Sequence, residues 1–313
     1  MKLDGSTIIV TGGAGFLGRP VVTRLEAAGA TCIVPRSTDY DLTTESAVER
    51  LFADVDADAV VHLAARVGGI GSNRDNPGYF IYSNMVMGAL MMEYARRSGI
   101  DKYLQVGTVC SYPKHTPVPF QEGFLWEGYP EETNAPYGIA KRALLAQAQA
   151  YRQQYGMNAV TLLPVNLYGP HDNFDLDSSH VIPALIRKMI DAGTDTHAAI
   201  ELWGDGSPSR EFLYVDDCAR SIVLALERYD EPDPVNLGTG MEITIRALAG
   251  LISQATGFGG EIVWDASKPN GQPRRCLDTS RARDRFDFVA EVSFEDGLRE
   301  TVAWYRSTLR AAA

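Results

Sequence analysis

Residues 7–18 read TIIVTGGAGFLG, and the organisation of the chain can be worked out from this segment. The β-branched, apolar run at residues 7–10 predicts a strand, and the glycines behind it predict a tight turn. Apolar residues at helical spacing follow and stop at Gly29, a typical helix terminator. The chain therefore begins with a strand, a glycine turn and a helix.

Strands and helices continue to alternate as far as residue 163. Hydrophobic periodicity predicts strands at 30–34, 59–63, 103–106 and 159–163, and helices at 43–52, 79–97 and 137–155. Alternation of this kind is typical of a parallel sheet that is covered by helices on both faces. We therefore predict an α/β fold with a doubly wound parallel sheet of the Rossmann type.

The glycines of the first turn are spaced Gly12-x-x-Gly15-x-x-Gly18, which is the spacing of a dinucleotide-binding turn. Glycines let such a turn close and let its backbone approach a pyrophosphate, while the helix N-terminus attracts the anion. The same spacing could also belong to an ordinary turn, but the strand before it and the helix after it favour binding. The residues of this turn expected to contact the dinucleotide are Gly12, Gly15, Phe16, Leu17 and Gly18, and Tyr137 and Lys141, further along the chain, are expected to contact it as well.

The residue after the second predicted strand bears on the type of dinucleotide. NAD sites usually have Asp or Glu at the end of this strand, whereas an arginine there favours a 2′-phosphate. Here the strand is followed by Pro35 and Arg36. We therefore expect NADP, used as NADPH. The alternative is that the protein binds NAD and that Arg36 is only a solvated loop residue.

The pattern changes after about residue 170, where the predicted elements become shorter. Helices are predicted at 180–190 and 215–228, extended segments at 200–203 and 211–214, and a stretch rich in proline and glycine at 268–273. We predict a dinucleotide-binding core over residues 1–170 and a smaller lobe, mainly for the substrate, over residues 171–313. One later strand and the helix at 215–228 are candidates to return to the core.

Composition excludes several classes of function. The 313 residues include 29 Lys and Arg against 40 Asp and Glu, a net charge of −11, so a nucleic-acid surface is not expected. The four cysteines are far apart and predict free thiols, and the histidines lack zinc-site spacing, so no metal is expected. No run reaches the roughly 20 apolar residues of a membrane span, and the N-terminus lacks signal-peptide features, so we expect a cytoplasmic protein without membrane contact.

Tyr137 and Lys141 are four residues apart at the start of a predicted helix, so their side chains share a face. A fixed ammonium group stabilises a phenolate and makes the hydroxyl usable as an acid or base near neutral pH. Thr108, after the preceding strand, can bond to the same substrate oxygen. The alternative is a core tyrosine with a surface lysine.

The glycine turn, the hydroxyl of Thr108 and the Tyr-x-x-x-Lys pair, in that order, resemble the extended short-chain dehydrogenase/reductase superfamily. Longer motifs resemble the GDP-L-fucose synthases over nearly the whole chain: VGGI (67–70), CSYPK (110–114), NAPYGIAK (134–141), NLYGP (166–170), DNF (172–174), SHVIPALIR (179–187), REF (210–212) and LD (277–278). This resemblance implies a nucleotide-diphosphate sugar as substrate, namely GDP-4-keto-6-deoxy-mannose. It would be epimerised at C3 and C5 and reduced at C4 by NADPH, in a homodimer.

The resemblance also implies roles for individual residues. Cys110 matches the family's base, and His180 matches the acid that returns a proton to the other face of the sugar. Tyr137 and Thr108 would hold the enolate oxygen. Judged without the resemblance, Cys110 would be a small buried apolar residue and His180 a helix-start residue.

Four residues match the family's substrate contacts. Arg187 and Arg210 would face the pyrophosphate, for which the forked guanidinium is suited. Trp203 and Asn166 would frame the sugar and nucleotide. The alternatives are a surface ion pair between Arg210 and the neighbouring Glu211, and a core position for Trp203.

The chain also departs from the family, which leaves other functions open. It has Gly-Thr-Val-Cys at residues 107–110 where the family has Gly-Ser-Ser-Cys, so Val109 puts a sugar contact in doubt. A nucleotide-sugar epimerase or dehydratase with tightly held NAD and no net redox is one alternative, and a C4 reductase without epimerase activity is another. A non-catalytic dinucleotide sensor is disfavoured because it needs none of Tyr137, Lys141 and Cys110.

Overall fold

The computed structural model describes residues 1–268 and 272–312. The strands, in chain order, are β1 (Thr7–Thr11), β2 (Thr31–Ile33), β3 (Ala59–His62), β4 (Lys102–Val106), β5 (Ala159–Pro164), β6 (Asn166–Tyr168), β7 (Ala199–Trp203), β8 (Ser209–Tyr214), β9 (Val235–Leu237), β10 (Glu242–Thr244) and β11 (Glu261–Asp265). Residues 269–271, within the stretch predicted as rich in proline and glycine, lie outside the described residues.

The helices lie between these strands and after them. They are α1 (Gly18–Ala27), α2 (Glu45–Asp54), α3 (Ile70–Asp75), α4 (Pro77–Arg97), α5 (Ala135–Tyr155), α6 (Val181–Ala192), α7 (Val215–Arg228), α8 (Ile245–Thr256), α9 (Ser280–Phe286) and α10 (Phe294–Ala312). Two short 3-10 helices cover Val109–Ser111 and Glu122–Trp126. Within the described ranges, no helix is both long enough and apolar enough to cross a membrane.

Six strands form one parallel sheet in the order β2-β1-β3-β4-β5-β9. Ile8 of β1 pairs with Cys32 on one side and with Ala59 on the other. The order in which strands are added reverses between β1 and β3, and such a reversal opens a crevice at the carboxyl ends of the strands, where ligands bind in this type of sheet. The doubly wound α/β fold predicted from the sequence is confirmed.

Residues of the same strand alternate between the two faces of this sheet, as a two-residue period requires. Ile8 and Val10 pack in the cluster that contains Val21 of α1, whereas Ile9 packs with Met91 of α4 on the other face. All five side chains are essentially inaccessible to solvent. Burial on both faces explains why the strands read as continuous apolar runs instead of alternating patterns.

Two predicted helices begin earlier than their apolar pattern suggested. The helix predicted from residue 79 begins at Pro77, and the one predicted from residue 137 begins at Ala135, just before Pro136. Proline fits the first turn because the N–H it lacks would have no partner there. The second helix ends at Tyr155, as predicted, and is followed by the capping residue Gly156 with φ of +70°.

The later part of the chain builds two smaller sheets, β10-β8-β6 and β11-β7. Their core includes Tyr168, Leu185 and Leu248. In contrast, β9 pairs with β5 in the central sheet, and Ile222 of α7 lies in the central-sheet core. The division into a core over residues 1–170 and a lobe over residues 171–313 stays a prediction.

Glu211 is fully buried in β8 and joins three parts of the chain. Its carboxylate accepts hydrogen bonds from the backbone N–H groups of Thr239 (2.6 Å), Gly240 (2.7 Å) and Leu277 (2.7 Å). The surface ion pair with Arg210 that the sequence allowed is therefore wrong, because the carboxylate is buried and bonded to backbone. Glu211 holds the segment around Leu277 against β8 and the turn after β9.

Candidate active site

The first glycine turn is packed against the chain that follows β3. Gly12 has φ of +72°, and a Cβ atom there would lie 2.9 Å from Ala64 N. A Cβ atom on Gly18 would lie 2.1 Å from Gly12 O. Gly15, between them, is exposed and donates its N–H to Gly12 O over 2.9 Å. A turn that leaves no room for a side chain at Gly12 or Gly18 and leads into the N-terminus of α1 has the shape and the positive potential that fit a dinucleotide pyrophosphate.

The Gly18→Ala variant tests this fit. We expect it to weaken NADPH binding by at least about tenfold, because the added methyl group forces the turn away from Gly12 O. Isothermal titration calorimetry measures the change in Kd. Gly250→Ala is the matched control, since a Cβ at this position in α8 meets nothing within 4 Å. An unchanged Kd for Gly18→Ala would show that the turn does not hold the dinucleotide.

Arg36 lies on the exposed turn that follows β2. Its backbone carbonyl accepts hydrogen bonds from Asp39 N (3.0 Å) and Tyr40 N (2.8 Å), which fix the turn. No acidic residue stands between β2 and Arg36. The surroundings therefore fit a phosphorylated ribose, and the assignment of Arg36 to the 2′-phosphate stays a prediction.

Lys141 lies one turn after Tyr137 on α5, as the four-residue spacing predicted. Its Nζ lies 6.0 Å from the centroid of the Tyr137 ring and donates a hydrogen bond to Val106 O over 2.9 Å. This bond anchors the ammonium group at the carboxyl end of β4. Burial lowers the pKa of Lys141 to about 8, so the group is still mostly charged at neutral pH.

Tyr137 does not behave as the sequence predicted. Burial raises its pKa above the ordinary value, and the nearby sulfur of Cys110 raises it further. The expected lowering by Lys141 is wrong for the protein alone, because the cost of burying a phenolate outweighs an ammonium group that is already bonded to Val106 O. Tyr137 is therefore held in its protonated form, which suits a group that donates a proton.

Thr108 and Cys110 lie in the turn immediately after β4. The Thr108 hydroxyl accepts a hydrogen bond from Cys110 N over 3.2 Å. A Cβ atom on Gly138 of α5 would lie 2.4 Å from Cys110 O, so only glycine lets the helix approach this turn. The structure thus brings Thr108, Cys110 and Tyr137 together at the carboxyl edge of the sheet.

Val109, the departure from the family motif, points away from this group. Its side chain is 3% exposed and packs in the core of the central sheet. A valine is therefore favoured at this position by burial. Val109 therefore offers no exposed side chain to a ligand, and the effect of the missing hydroxyl on a sugar contact stays a prediction.

Arg275 was not among the residues predicted for the site. It is buried, and its Nη1 donates a hydrogen bond to Cys110 Sγ over 3.7 Å. Arg210 of β8 lies nearby: burial, followed by the positive charge of Arg275, lowers the pKa of Arg210 to about 10, while Cys110 acts in the opposite direction. The sequence feature that could have identified Arg275 is the pair of arginines at residues 274 and 275, just before the Leu-Asp motif at residues 277–278.

His180 precedes the first residue of α6 and remains accessible to solvent. Protein atoms packed around its ring disfavour the imidazolium form and lower its pKa. The segment before it is tied to the chain after β3, because Gly69 N donates to Ser178 O over 3.0 Å. His180 is thus joined to the carboxyl edge of the sheet, and its role as an acid stays a prediction.

Two buried polar atoms in the segment before α6 have no hydrogen-bond partner among the described residues. They are Asp172 Oδ2 and Ser179 Oγ. Burial also raises the pKa of Asp172 to about 7. Leaving a buried polar group unsatisfied costs about 1–3 kcal/mol, and a bound hydroxyl group or water removes that cost. Both residues lie in motifs that carry the family resemblance, but the sequence analysis assigned neither of them a role.

The remaining predicted substrate contacts lie on three elements. Asn166 begins β6 and its Nδ2 donates to Glu211 O over 3.1 Å, which places it beside β8 and Arg210. Arg187 of α6 donates to Phe174 O over 3.0 Å. Trp203 at the end of β7 is 64% exposed, so the core position considered for it is wrong. Joint contact of these side chains with one ligand stays a prediction.

His62 lies at the switch point of the sheet, where its Nδ1 is 2.8 Å from Thr11 Oγ1. Burial, helped by the positive charge of Lys141, lowers the pKa of His62 to about 3. The unfolded chain binds this proton near pH 6.5, so between these values the unfolded state holds more protons than the folded state. Acid therefore destabilises the fold through His62.

The pH dependence of unfolding tests this effect. We expect the free energy of unfolding to fall by up to about 1.4 kcal/mol per pH unit from this residue as the pH drops below 6.5. His62→Gln should show a shallower decline than the wild type in urea titrations between pH 6.5 and 4.5. His197→Gln, at an exposed position, is the control. Equal slopes for all three proteins would show that His62 does not contribute.

Comparisons with known proteins agree with this arrangement. The model of the NAD dependent epimerase/dehydratase family matches residues 8–238. A GDP-L-fucose synthase of Sinorhizobium fredii is 43% identical over 279 residues, which cover 89% of each chain. A GDP-L-fucose synthetase of Naegleria fowleri bound to NADP has a TM-score of 0.89 at 28% identity, over 98% of this chain and 96% of that one. A GDP-6-OMe-4-keto-L-xylo-heptose reductase from C. jejuni has a TM-score of 0.91 at 25% identity, over 98% and 99%.

Proposed function

Because the chain belongs to the NAD dependent epimerase/dehydratase family, and within it to the GDP-L-fucose synthases, we propose that it epimerises a GDP-4-keto-6-deoxy-hexose at C3 and C5 and reduces it at C4 with NADPH. The family resemblance read from the motifs is confirmed by this membership. The chain is thus an NAD(P)-dependent nucleotide-sugar oxidoreductase.

One observation carries the proposal: a cysteine and a protonated tyrosine share the carboxyl edge of the sheet. Cys110 and Tyr137 are close enough for the sulfur to raise the pKa of the phenol. Epimerisation next to a ketone needs a base that can reach carbon, and reduction needs a proton donor for the oxygen. A protein that only senses a dinucleotide needs neither group.

The residues that would hold the dinucleotide are the glycine turn from Gly12 to Gly18, Arg36 at the 2′-phosphate, and Lys141. NADPH supplies the hydride that reduces C4. The chain's own contribution here is to close a turn with glycines at positions 12, 15 and 18 around the pyrophosphate and to keep an ammonium group anchored on Val106 O.

Epimerisation is a matter of proton transfer at the carbons beside the C4 ketone. Cys110, as a thiolate, removes the proton, and the electron pair of the C–H bond moves into the enolate, whose oxygen is held by Tyr137 and Thr108. His180 returns a proton to the opposite face. The proton taken by Cys110 passes to solvent, so each inversion consumes and releases one proton.

Reduction then uses Tyr137 as the acid. The phenol donates its proton to the C4 oxygen as that oxygen becomes an alkoxide. The raised pKa of Tyr137 keeps this proton available at neutral pH. Lys141 stabilises the phenolate that is left until solvent replaces the proton.

The diphosphate of the substrate needs local positive charge because the whole chain carries a net charge of −11. Arg187 and Arg210 supply it in this proposal, with Asn166 and Trp203 framing the sugar and nucleotide. The buried setting of Arg210 strengthens its interaction with an anion.

Oligomeric state and location follow the same reasoning. We propose a homodimer formed through α4 and α5, because α4 exposes Tyr79, Tyr82 and Met85, and exposed aromatic and methionine side chains are typical of interfaces. A cytoplasmic location and the division at residue 170 belong to the same proposal. Partners other than the nucleotide sugar, such as nucleic acid or a membrane, have no part in it.

The deciding experiment offers the protein a panel of GDP-, UDP- and dTDP-4-keto-6-deoxy-sugars with NADPH or NADH, and follows absorbance at the nicotinamide band. We expect oxidation of NADPH with GDP-4-keto-6-deoxy-mannose and no comparable rate with the UDP and dTDP sugars. NAD⁺ that stays bound through gel filtration, with no net oxidation of NADPH, would instead support an epimerase or dehydratase.

A second candidate, a C4 reductase without epimerase activity, is favoured by the match to the C. jejuni reductase over nearly the whole chain. The two are separated by running the reaction in deuterated water and analysing the product by mass spectrometry. Deuterium at C3 and C5 supports the epimerase/reductase. Reduced product without deuterium at these carbons supports the reductase alone.

A further inference from the structure

A buried arginine faces the sulfur of the proposed base. Arg275 is 8% exposed, and its Nη1 donates to Cys110 Sγ over 3.7 Å although the two residues are 165 positions apart. Sulfur in a neutral thiol is a weak acceptor, whereas a thiolate is a good partner for a guanidinium group. The contact therefore gives the sulfur of the base a fixed hydrogen-bond donor.

Gln272 holds this arginine in place. Its Oε1 accepts from Arg275 Nη2 (2.8 Å) and Nε (3.2 Å), and its Nε2 donates to Lys114 O over 2.9 Å. Its backbone carbonyl accepts from Arg210 Nη1 over 2.6 Å. One buried glutamine thus fixes Arg275, positions Arg210, and ties both to the chain just after Cys110.

The charged and titratable groups that face Cys110 come from several elements. Arg275 and Arg210 are positive, Tyr137 is held neutral, and Glu131 interacts with Arg210. The sulfur is therefore in hydrogen-bond contact with one guanidinium group, and Arg210 and Tyr137 are near enough to interact with it electrostatically. A positive surrounding of this kind is what makes a cysteine reactive.

The other three cysteines lie in different surroundings. Burial raises the pKa of the Cys32 thiol to about 11, and the pKa values of the Cys218 and Cys276 thiols to about 12. Those thiols are held protonated, and a thiol that is protonated reacts slowly with alkylating reagents. Alkylation near neutral pH therefore reports on Cys110.

We propose that Arg275, aimed by Gln272, is a positioning residue that fixes the Cys110 sulfur and stabilises the negative charge it carries when it acts as the base, and so sets the rate at which the proton beside the ketone is removed. This inference rests on the proposed function, because that function identifies the proton as one on a carbon beside the C4 ketone. Arg275 itself exchanges no proton: its N–H hydrogen bond to the sulfur is strong while the sulfur is charged and weakens when the thiol forms.

The direct test is alkylation of the intact protein by iodoacetamide across pH 6 to 10, with the modified residue identified by mass spectrometry. In Arg275→Gln we expect Cys110 to react about tenfold more slowly at pH 7, because the charge that develops on its sulfur loses its hydrogen-bond donor. Arg274→Gln is the matched control, since Arg274 is exposed and paired with Glu242. It should react like the wild type.

Two further variants separate charge from packing. Arg275→Lys keeps the charge and should stay within about threefold of the wild-type alkylation rate. Gln272→Ala keeps Arg275 but removes the side-chain hydrogen bonds that hold it. Its alkylation rate should lie between those of the wild type and Arg275→Gln. These variants keep the proposal testable if Arg275→Gln does not fold, which thermal unfolding will show.

The second readout is exchange of the substrate's C3 and C5 hydrogens for deuterium. Arg275→Gln should lower the rate of exchange about tenfold with a smaller change in KM, and should add little further loss in a Cys110→Ser background. An alkylation rate like that of the wild type, or the same change in Arg274→Gln, would overturn the proposal. If the wild type exchanges no deuterium, the proposed function fails, while the alkylation rates still decide the role of Arg275.

Discussion

Replacing Tyr137 with phenylalanine is expected to lower the rate of C4 reduction by about 10³-fold while leaving the affinity for NADPH within about threefold of the wild type. The change removes one hydroxyl group, and with it the proton that the alkoxide at C4 must receive. The ring that packs beside Lys141 stays in place. Stopped-flow absorbance at the nicotinamide band, with substrate already epimerised, measures the reduction step alone.

The matched control for this variant is Tyr151→Phe on the same helix. Tyr151 donates its hydroxyl proton to Glu93 over 2.8 Å, away from the carboxyl edge of the sheet. We expect this variant to reduce substrate at the wild-type rate, with at most a small loss of stability. Reduction by Tyr137→Phe within a few fold of the wild type would mean that another group protonates the C4 oxygen.

Replacing Cys110 with serine is expected to suppress epimerisation by about 10²-fold or more and to leave the reduction of a pre-epimerised ketone nearly intact. A serine hydroxyl is far less acidic than a thiol, so it holds almost no negative charge near neutral pH even beside Arg275. Deuterium incorporation at C3 and C5, measured without NADPH, isolates the proton-transfer step.

Cys32→Ser makes the same chemical change in β2 and serves as the control. It should exchange deuterium and reduce substrate as the wild type does. Equal losses of epimerisation and reduction in Cys110→Ser would contradict the division of work between the cysteine and the tyrosine. They would indicate that Cys110 shapes the pocket without acting as the base.

The first half of the fold could be predicted from local sequence patterns. The strand, glycine turn and helix at residues 7–29 were readable because each element is set by neighbours within a few residues. The pair Tyr137 and Lys141 was readable for the same reason, since four residues make one helical turn. The short strands β6 and β9 were missed because three residues are too few to establish a period.

The surroundings of a side chain in the folded protein determine its pKa and its partners, and local sequence patterns could not predict these. The i, i+4 spacing predicted that Lys141 would lower the pKa of Tyr137, but burial and Cys110 raise it. Arg210 next to Glu211 looked like a surface ion pair, but β8 buries the carboxylate and backbone N–H groups satisfy it. Desolvation depends on the whole fold, so it cannot be predicted from neighbouring residues in the sequence.

The sequence by itself determined the parallel α/β architecture, the turn for a dinucleotide pyrophosphate and the family to which the chain belongs, because these depend on periodicity and on motifs of contiguous residues. Only the tertiary structure decided that Arg275 meets Cys110, that Gln272 holds both Arg275 and Arg210, and that Val109 is in the core. These contacts join residues far apart along the chain. Their energies come from burial and charge at short distance, which exist only once the chain has folded.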